Sequence, residues 1–166
     1  MAGDGGSGWK RVLYLGRARL TSDALPSEIA RSAVHRFEVR TRFYELDPYQ
    51  HVNHTAYLGY FEAGRVEALE AAGYGLDVMK EAGFQIVLVE LTARFLVPAT
   101  LHETLLVSTW VTEITRASSR WHQEMTRGED LLATLDVKAA FTNHAGRPIR
   151  PPDGFAAAFT EGPSAT

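Results

Sequence analysis

The run Asn53-His54-Thr55-Ala56-Tyr57-Leu58-Gly59-Tyr60-Phe61-Glu62-Ala63-Gly64-Arg65-Val66-Glu67-Ala68-Leu69-Glu70-Ala71-Ala72-Gly73 decides the fold class. Tyr57, Leu58, Phe61, Ala68, Leu69 and Ala72 fall on one stripe at the helical period, while Glu62, Glu67 and Glu70 fall elsewhere. Asn53 stands at the N-cap position, where a short polar side chain accepts a hydrogen bond from an orphan N–H of the first turn. Gly73 supplies the stop. The pattern predicts a long helix over His54–Ala72. Gly59 and Gly64 each cost such a helix about 1 kcal/mol of propensity, a loss that points to close approach of the helix to a sheet.

Outward from the helix the period changes to two. Arg36–Phe43 sets Arg36, Glu38, Arg40 and Arg42 against Phe37, Val39, Thr41 and Phe43, the mark of a half-buried strand. The loop that follows, from Tyr44 to Val52, is punctuated by Pro48. Beyond the helix a short helical turn, Leu76–Glu81, precedes a long apolar strand, Phe84–Val97, in which Glu90, Thr92 and Arg94 alternate and which Pro98 ends. Thr104–Thr115 and Ser119–Thr126 alternate again, and Gly128-Glu129-Asp130 reads as a turn. Leu131, Ala133, Leu135, Val137, Ala139 and Phe141 line one face of a last strand, opposite Thr134, Asp136 and Lys138. Asn143-His144-Ala145-Gly146 turns out of it, and Arg147–Pro152 is extended. The order is strand, long helix, then four strands. This predicts an α+β domain in which an antiparallel sheet of about five strands wraps around one long helix. Such a sheet leaves its edges open, so pairing with a second copy is expected.

Composition narrows the function. With 17 Lys+Arg against 20 Asp+Glu in 166 residues, the chain lacks the basic excess that phosphate backbones require, which argues against nucleic acid as a partner. No apolar run approaches the roughly 20 residues of a membrane helix, and the absence of cysteine removes disulfides, thiolate metal sites and thiol nucleophiles. A cytoplasmic setting is expected. Residues 1–35 carry five basic residues (Lys10, Arg11, Arg17, Arg19, Arg31) against three acidic ones (Asp4, Asp23, Glu28), so the remainder is more acidic than the total. They are read as a partly disordered N-terminal extension, residues 36–155 as the domain, and 156–166 as a C-terminal tail.

The chemistry concentrates in the loop before the helix. A helix N-terminus offers unbonded N–H groups and the positive end of a dipole, which polarise a carbonyl and hold charge developing on its oxygen. Asp47 lies on the loop leading into that terminus. A carboxylate there serves either as a general base or nucleophile on an acyl carbon, or simply as part of an Asp-Pro turn. His51 and His54 are spaced three apart but have no third ligand, so no metal is expected. No Gly-x-Ser-x-Gly occurs, and the glycines Gly3, Gly5 and Gly6 precede no strand–helix unit.

The segment from Arg40 through Leu46-Asp47-Pro48-Tyr49-Gln50-His51-Val52-Asn53 to Arg65 resembles the signature of hot-dog-fold acyl-CoA thioesterases. It is most similar to the 4-hydroxybenzoyl-CoA thioesterase-like branch, which includes bacterial long-chain acyl-CoA thioesterases, and its core is also similar to plant acyl-carrier-protein thioesterases. Arg94-Phe95-Leu96-Val97-Pro98-Ala99, Trp121-His122-Gln123-Glu124 and Gly146-Arg147-Pro148-Ile149-Arg150-Pro151 follow in the family's order. The resemblance implies the hot-dog fold, a homodimer or homotetramer, no cofactor, and an acyl-CoA or acyl-carrier-protein thioester as substrate. It implies that Asp47 attacks the thioester or activates water, that the backbone N–H of His54 polarises the carbonyl, and that Asn53 and His51 fix the loop. Tyr57 and Phe61 are implied on the substrate side, Glu62 matches a common family glutamate, and Arg116 and Arg120 are implied as nucleotide contacts. Leu69, Phe84 and Val87 join Phe61 as candidate apolar lining. Two departures stand out: His54 replaces a usual second asparagine, and His102-Glu103 replaces a Gly-Asp turn. Hydrolysis of an acyl thioester is the leading expectation. A non-catalytic acyl-CoA-binding module is the alternative from another class.

Overall fold

The computed structural model describes residues 34–160. The expected N-terminal extension therefore lies outside the described residues except for its last two positions. The chain runs through β1 (His35–Arg40), a 3₁₀ turn (Phe43–Glu45), α1 (His54–Ala71), α2 (Leu76–Glu81), β2 (Phe84–Phe95), β3 (Thr104–Ile114), β4 (Ser118–Arg127), β5 (Asp130–Asn143) and α3 (Phe155–Thr160). The five strands form one antiparallel sheet in the order β1-β3-β4-β5-β2. The long helix lies against it, as the hot-dog expectation requires.

α1 begins where the sequence places it. Asn53 is extended, and its side chain accepts from the Thr55 N–H. Tyr57, Tyr60, Phe61, Gly64, Ala68 and Leu69 form the buried face. Phe61 is wholly enclosed, which stabilises the fold by roughly 1.5–3 kcal/mol. An added Cβ at Gly64 would come within 2.9 Å of Val107 Cγ1 and 3.2 Å of Thr109 Oγ1, so helix and sheet meet there at backbone distance. The same cannot be said of Gly59, where an added Cβ meets nothing within 4 Å. The close-approach explanation holds for one glycine of the two.

Four features depart from the period-two reading, each for a local reason, one of them a bulge that skips Thr112 in β3. β1 ends at Arg40 because the chain turns into the 3₁₀ segment, held by the Arg42 N–H donating to Glu45 Oε2 at 2.6 Å. In β5 the pairing with β4 skips Leu132, and this bulge makes Leu132 fully buried while Leu131 stays half-exposed. A third bulge skips Val89 in β2 and leaves the consecutive Val87, Leu88 and Val89 exposed.

The sequence reading ends the domain at 155. The structure carries the core further: Phe155 and Phe159, one helical turn apart in α3, are both buried. Phe155 packs against Tyr74 and Phe141 with ring centroids 4.8 and 5.0 Å away, and Phe159 meets Trp121 at 5.2 Å. Among the described residues no helix is long and apolar enough to cross a membrane.

Candidate active site

The loop ahead of α1 is tightly constrained. The Asp47 N–H donates to the His51 carbonyl at 2.8 Å and the Gln50 N–H returns to the Asp47 carbonyl at 3.0 Å, closing a turn in which Gln50 takes φ 65°. The loop is tied to its surroundings at Val52, whose N–H donates to the Ala99 carbonyl (2.8 Å), and at Asn53, whose N–H donates to the Glu45 carbonyl (2.7 Å). Asp47 Oδ1 accepts from the N–H groups of Tyr49 (2.8 Å) and His51 (3.1 Å). These bonds fix the carboxylate through one oxygen, and Oδ2 takes no hydrogen bond from the described residues. His51 thus contributes through its backbone.

The helix terminus is organised in the same economical way. Asn53 Oδ1 accepts from both the Thr55 N–H (2.9 Å) and the Thr55 hydroxyl (2.8 Å), and the Asn53 carbonyl accepts from Ala56 N–H (2.9 Å). The His54 N–H has no acceptor among the described residues. It is the open donor of the first turn, at the positive end of an 18-residue helix. The His54 ring leans on Phe95 at 6.5 Å, and Phe95 also meets Tyr57 at 5.4 Å.

Tyr57 and Phe61 were expected to face substrate, but the structure puts both in the core. Tyr57 accepts from the Ala99 N–H at 2.7 Å, bracing the β2–β3 connection to which the loop is tied, and Phe61 is wholly enclosed. Leu69 and Phe84 are also core residues, and Val87 lies exposed on β2. The three on α1, Tyr57, Phe61 and Leu69, are packed because theirs is the face the sheet takes up, while Phe84 and Val87 take their places from β2. Glu62 stands exposed on the other side of the helix.

An open cleft of about 570 Å³ lies instead between α1, β1 and the 3₁₀ turn. Phe37, Val39, Leu46, Ala56, Gly59 and Ala63 give it apolar walls, and Asn53 and Thr55 bring it to the helix terminus. Asp47 itself is not on the wall, but its neighbour Leu46 is. Tyr60, Glu45 and Arg42 form the polar side. The Tyr60 hydroxyl donates to Glu45 Oε2, and Arg42 Nη1 donates to Glu45 Oε1 at 3.2 Å. Burial, with the glutamate beside it, pushes the Tyr60 phenol well above its ordinary pKa.

Behind the helix is a buried polar stitch that sequence patterning passed over. Gln123, fully buried, donates through Nε2 to the Phe61 carbonyl and to Thr109 Oγ1, both at 2.8 Å. Its Oε1 accepts from Arg65 Nη1 at 2.6 Å. Burial lowers the Arg65 guanidinium below its ordinary pKa, against an opposing pull from Glu62. The available signal was phase: Trp121, Gln123 and Met125 alternate together onto the buried face, and a polar residue in that phase needs partners.

The structure does not bring Arg116 and Arg120 to Asp47. The helix terminus sits at the sheet end where Phe95, Ala133 and Met125 pair. Arg116 is at the other end, in the β3–β4 turn, and Arg120 is paired with Glu113 at 3.0 Å. Among the described residues no group of three or more His, Asp or Glu side chains is placed to share a metal ion.

With this geometry in view, the relatives are informative. The model of the thioesterase-like superfamily matches residues 41–159, and the chain belongs to that family. Its activity class is accordingly thioester hydrolysis. The chain is 28% identical over 130 residues to the acyl-acyl carrier protein thioesterase ATL3, chloroplastic, of Arabidopsis thaliana, covering 77% of this chain and 68% of that one. Among solved structures it is similar to a probable thioesterase from Bartonella henselae, with TM-score 0.69, 29% identity, and 72% and 100% of the two chains covered. It is also similar to a thioesterase complexed with coenzyme A and Zn from Thermus thermophilus, with TM-score 0.65, 25% identity, and 75% and 90% covered.

Proposed function

We propose that the chain hydrolyses acyl-CoA thioesters, with Asp47 as the reacting carboxylate and the His54 N–H as the donor to the thioester carbonyl. The carrying observation is the pairing of two open groups on one rigid loop–helix junction: Asp47 is pinned through Oδ1 with Oδ2 available, and His54 is the unused donor of the first turn. Oδ2 serves in one of two ways. It takes a proton from water as the water oxygen bonds to the acyl carbon, or it bonds to that carbon itself and water then cleaves the acyl-aspartate. In both, negative charge grows on the carbonyl oxygen against the His54 N–H, the C–S bond breaks, and the thiolate leaves to take up a proton. His51 and Asn53 hold the loop and the cap.

Assembly extends this reading. β2 is an edge strand exposing Val87, Leu88, Val89, Leu91 and Phe95, an apolar row of the kind that pairs with another chain. Two β2 edges joined antiparallel set the Arg116 end of one protomer beside the Asp47 end of its partner. That arrangement supports a homodimer, or a tetramer built from it, in which Arg116 and Arg120 serve the partner's site as contacts for the CoA nucleotide.

The relative active on an acyl carrier protein supports a second carrier, and one experiment separates the two. Free-thiol release is measured on a panel of acyl-CoA and acyl-carrier-protein thioesters, with mass in solution from light scattering. Turnover of the CoA esters by a dimer or larger species supports the proposal. Turnover of carrier-protein esters alone overturns the choice of carrier, and binding without release from either overturns hydrolysis.

A further inference from the structure

Gly59 is a glycine the fold does not need. It lies inside a helix, where glycine loses more conformational freedom than any other residue, and its φ is not in the left-handed range. An added Cβ there meets nothing within 4 Å, whereas at Gly64 it would collide with Val107. Above Gly59 is the cleft of about 570 Å³, within the roughly 300–1,000 Å³ typical of small-molecule sites. The cleft runs from Asn53 and Thr55 at the helix terminus past Ala56 and Gly59 to Ala63, with Phe37 and Val39 opposite. On its polar side Tyr60 and Glu45 satisfy each other, so the wall there presents a ring to the space rather than a hydroxyl seeking a partner.

We propose that this cleft receives the acyl group and that Gly59 is the position that sets how long a chain can enter. The inference rests on the hydrolase reading above, because it is the carbonyl held at the His54 N–H that starts the chain at the Asn53 end. Gly59 lies five residues on, about 7.5 Å along the axis at about 1.5 Å per residue. An extended chain advances roughly 1.2 Å per bond, as the backbone's own dimensions show, so an acyl chain reaches Gly59 after roughly six bonds. Shorter acyl groups end before it. Longer ones pass through space that a side chain at 59 would fill.

The test measures kcat/KM over saturated acyl thioesters from two to sixteen carbons for the wild type, Gly59→Ala, Gly59→Leu and Gly59→Phe. Glu67→Leu, on the same helix and off the cleft wall, is the control for added bulk. The expected result is a graded fall in the ratio of long-chain to short-chain kcat/KM, at least tenfold for Gly59→Leu, with the break near six carbons and the control ratio unmoved. A uniform change at every length overturns the proposal, as does a wild type that already rejects chains beyond six carbons. Loss of the oligomer in Gly59→Leu, read by light scattering, also overturns it, because the space then belongs to a second copy. Calorimetric binding of free fatty acids of the same lengths reads the cleft without turnover. If the wild type releases no thiol while Gly59→Leu still loses affinity for long acids selectively, the hydrolase reading fails and the cleft assignment stands.

Discussion

Two glycines on one helix show what its two sides do. Gly64 faces the sheet, where Val107, Thr109 and Gln123 come so close that no side chain fits. Gly59, less than two turns earlier, faces the cleft and touches nothing. Beneath the helix the polar groups of the sheet are used: Gln123 spans the Phe61 carbonyl, Thr109 and Arg65. Toward the helix terminus and its loop, groups are left open, namely the His54 N–H and Asp47 Oδ2. The packed side holds the helix in place, and this lets the other side leave donors and space unfilled.

The contrast breaks most sharply at Asp47. Asp47→Asn keeps an oxygen that can accept from the Tyr49 and His51 N–H groups, so melting should change little while thiol release falls roughly 10²–10⁴-fold. Turnover within a few fold of wild type would remove Asp47 from the reaction. The next effect belongs to the packed side. Gly64→Val forces Val107 and Thr109 apart, and urea denaturation should show a loss of roughly 1–3 kcal/mol. An unshifted midpoint would mean that helix and sheet are less closely apposed than the 2.9 Å contact implies.

Gln123→Leu should cost about as much, roughly 1–3 kcal/mol, since it strands the Thr109 hydroxyl and a buried guanidinium. A double-mutant cycle with Arg65→Met reads the coupling between them. Gly59→Ala should act in the opposite direction and raise stability by roughly 0.5–1 kcal/mol, because helix propensity improves and nothing is displaced.

The smallest effect concerns the β2–β3 connection that anchors the loop. Burial raises the Glu103 pKa, but the Thr100 N–H, the Thr100 hydroxyl and Arg127 together outweigh it and hold the carboxyl below its ordinary value. A depressed folded pKa means that this stability is fully present above the unfolded value of about 4.3 and drains as pH falls through the folded one. Glu103→Gln should therefore flatten the acid limb of a stability–pH curve below that point. An acid limb as steep as wild type would assign it to other carboxylates.

Much of the fold was legible because it rests on periods. The alternation in Thr104–Ile114 and the N-cap at Asn53 are local consequences of pleat and helical turn, and each appears where the sequence reading puts it. The bulges at Val89 and Leu132 were not legible, since a single skipped residue depends on the strand opposite. Nor was α3, in which six residues give too few turns for a pattern; only the pair Phe155 and Phe159 hints at it. His102 takes φ 65°, a left-handed conformation that glycine adopts most freely, in keeping with the Gly-Asp turn that the resemblance implies there. At the site, Asp47, His51, Asn53 and His54 come together through loop and cap bonds between near neighbours, which short-range sequence specifies. Phe61 and Tyr57, expected on the substrate side, lie buried, a placement the sequence could not specify because an apolar residue on a helix looks the same whether it meets substrate or core.

The sequence by itself therefore determined the long helix, the five strands, their order and the capped loop–helix junction from Asp47 to His54, because turns, caps and alternation are made within a few residues. Only the tertiary structure decided which face of the helix the sheet would claim. From that followed the burial of Phe61, the partners of Gln123 and the open space above Gly59. Those outcomes depend on contacts between residues about 60 positions apart, such as Phe61 with Gln123, whose geometry no local pattern carries.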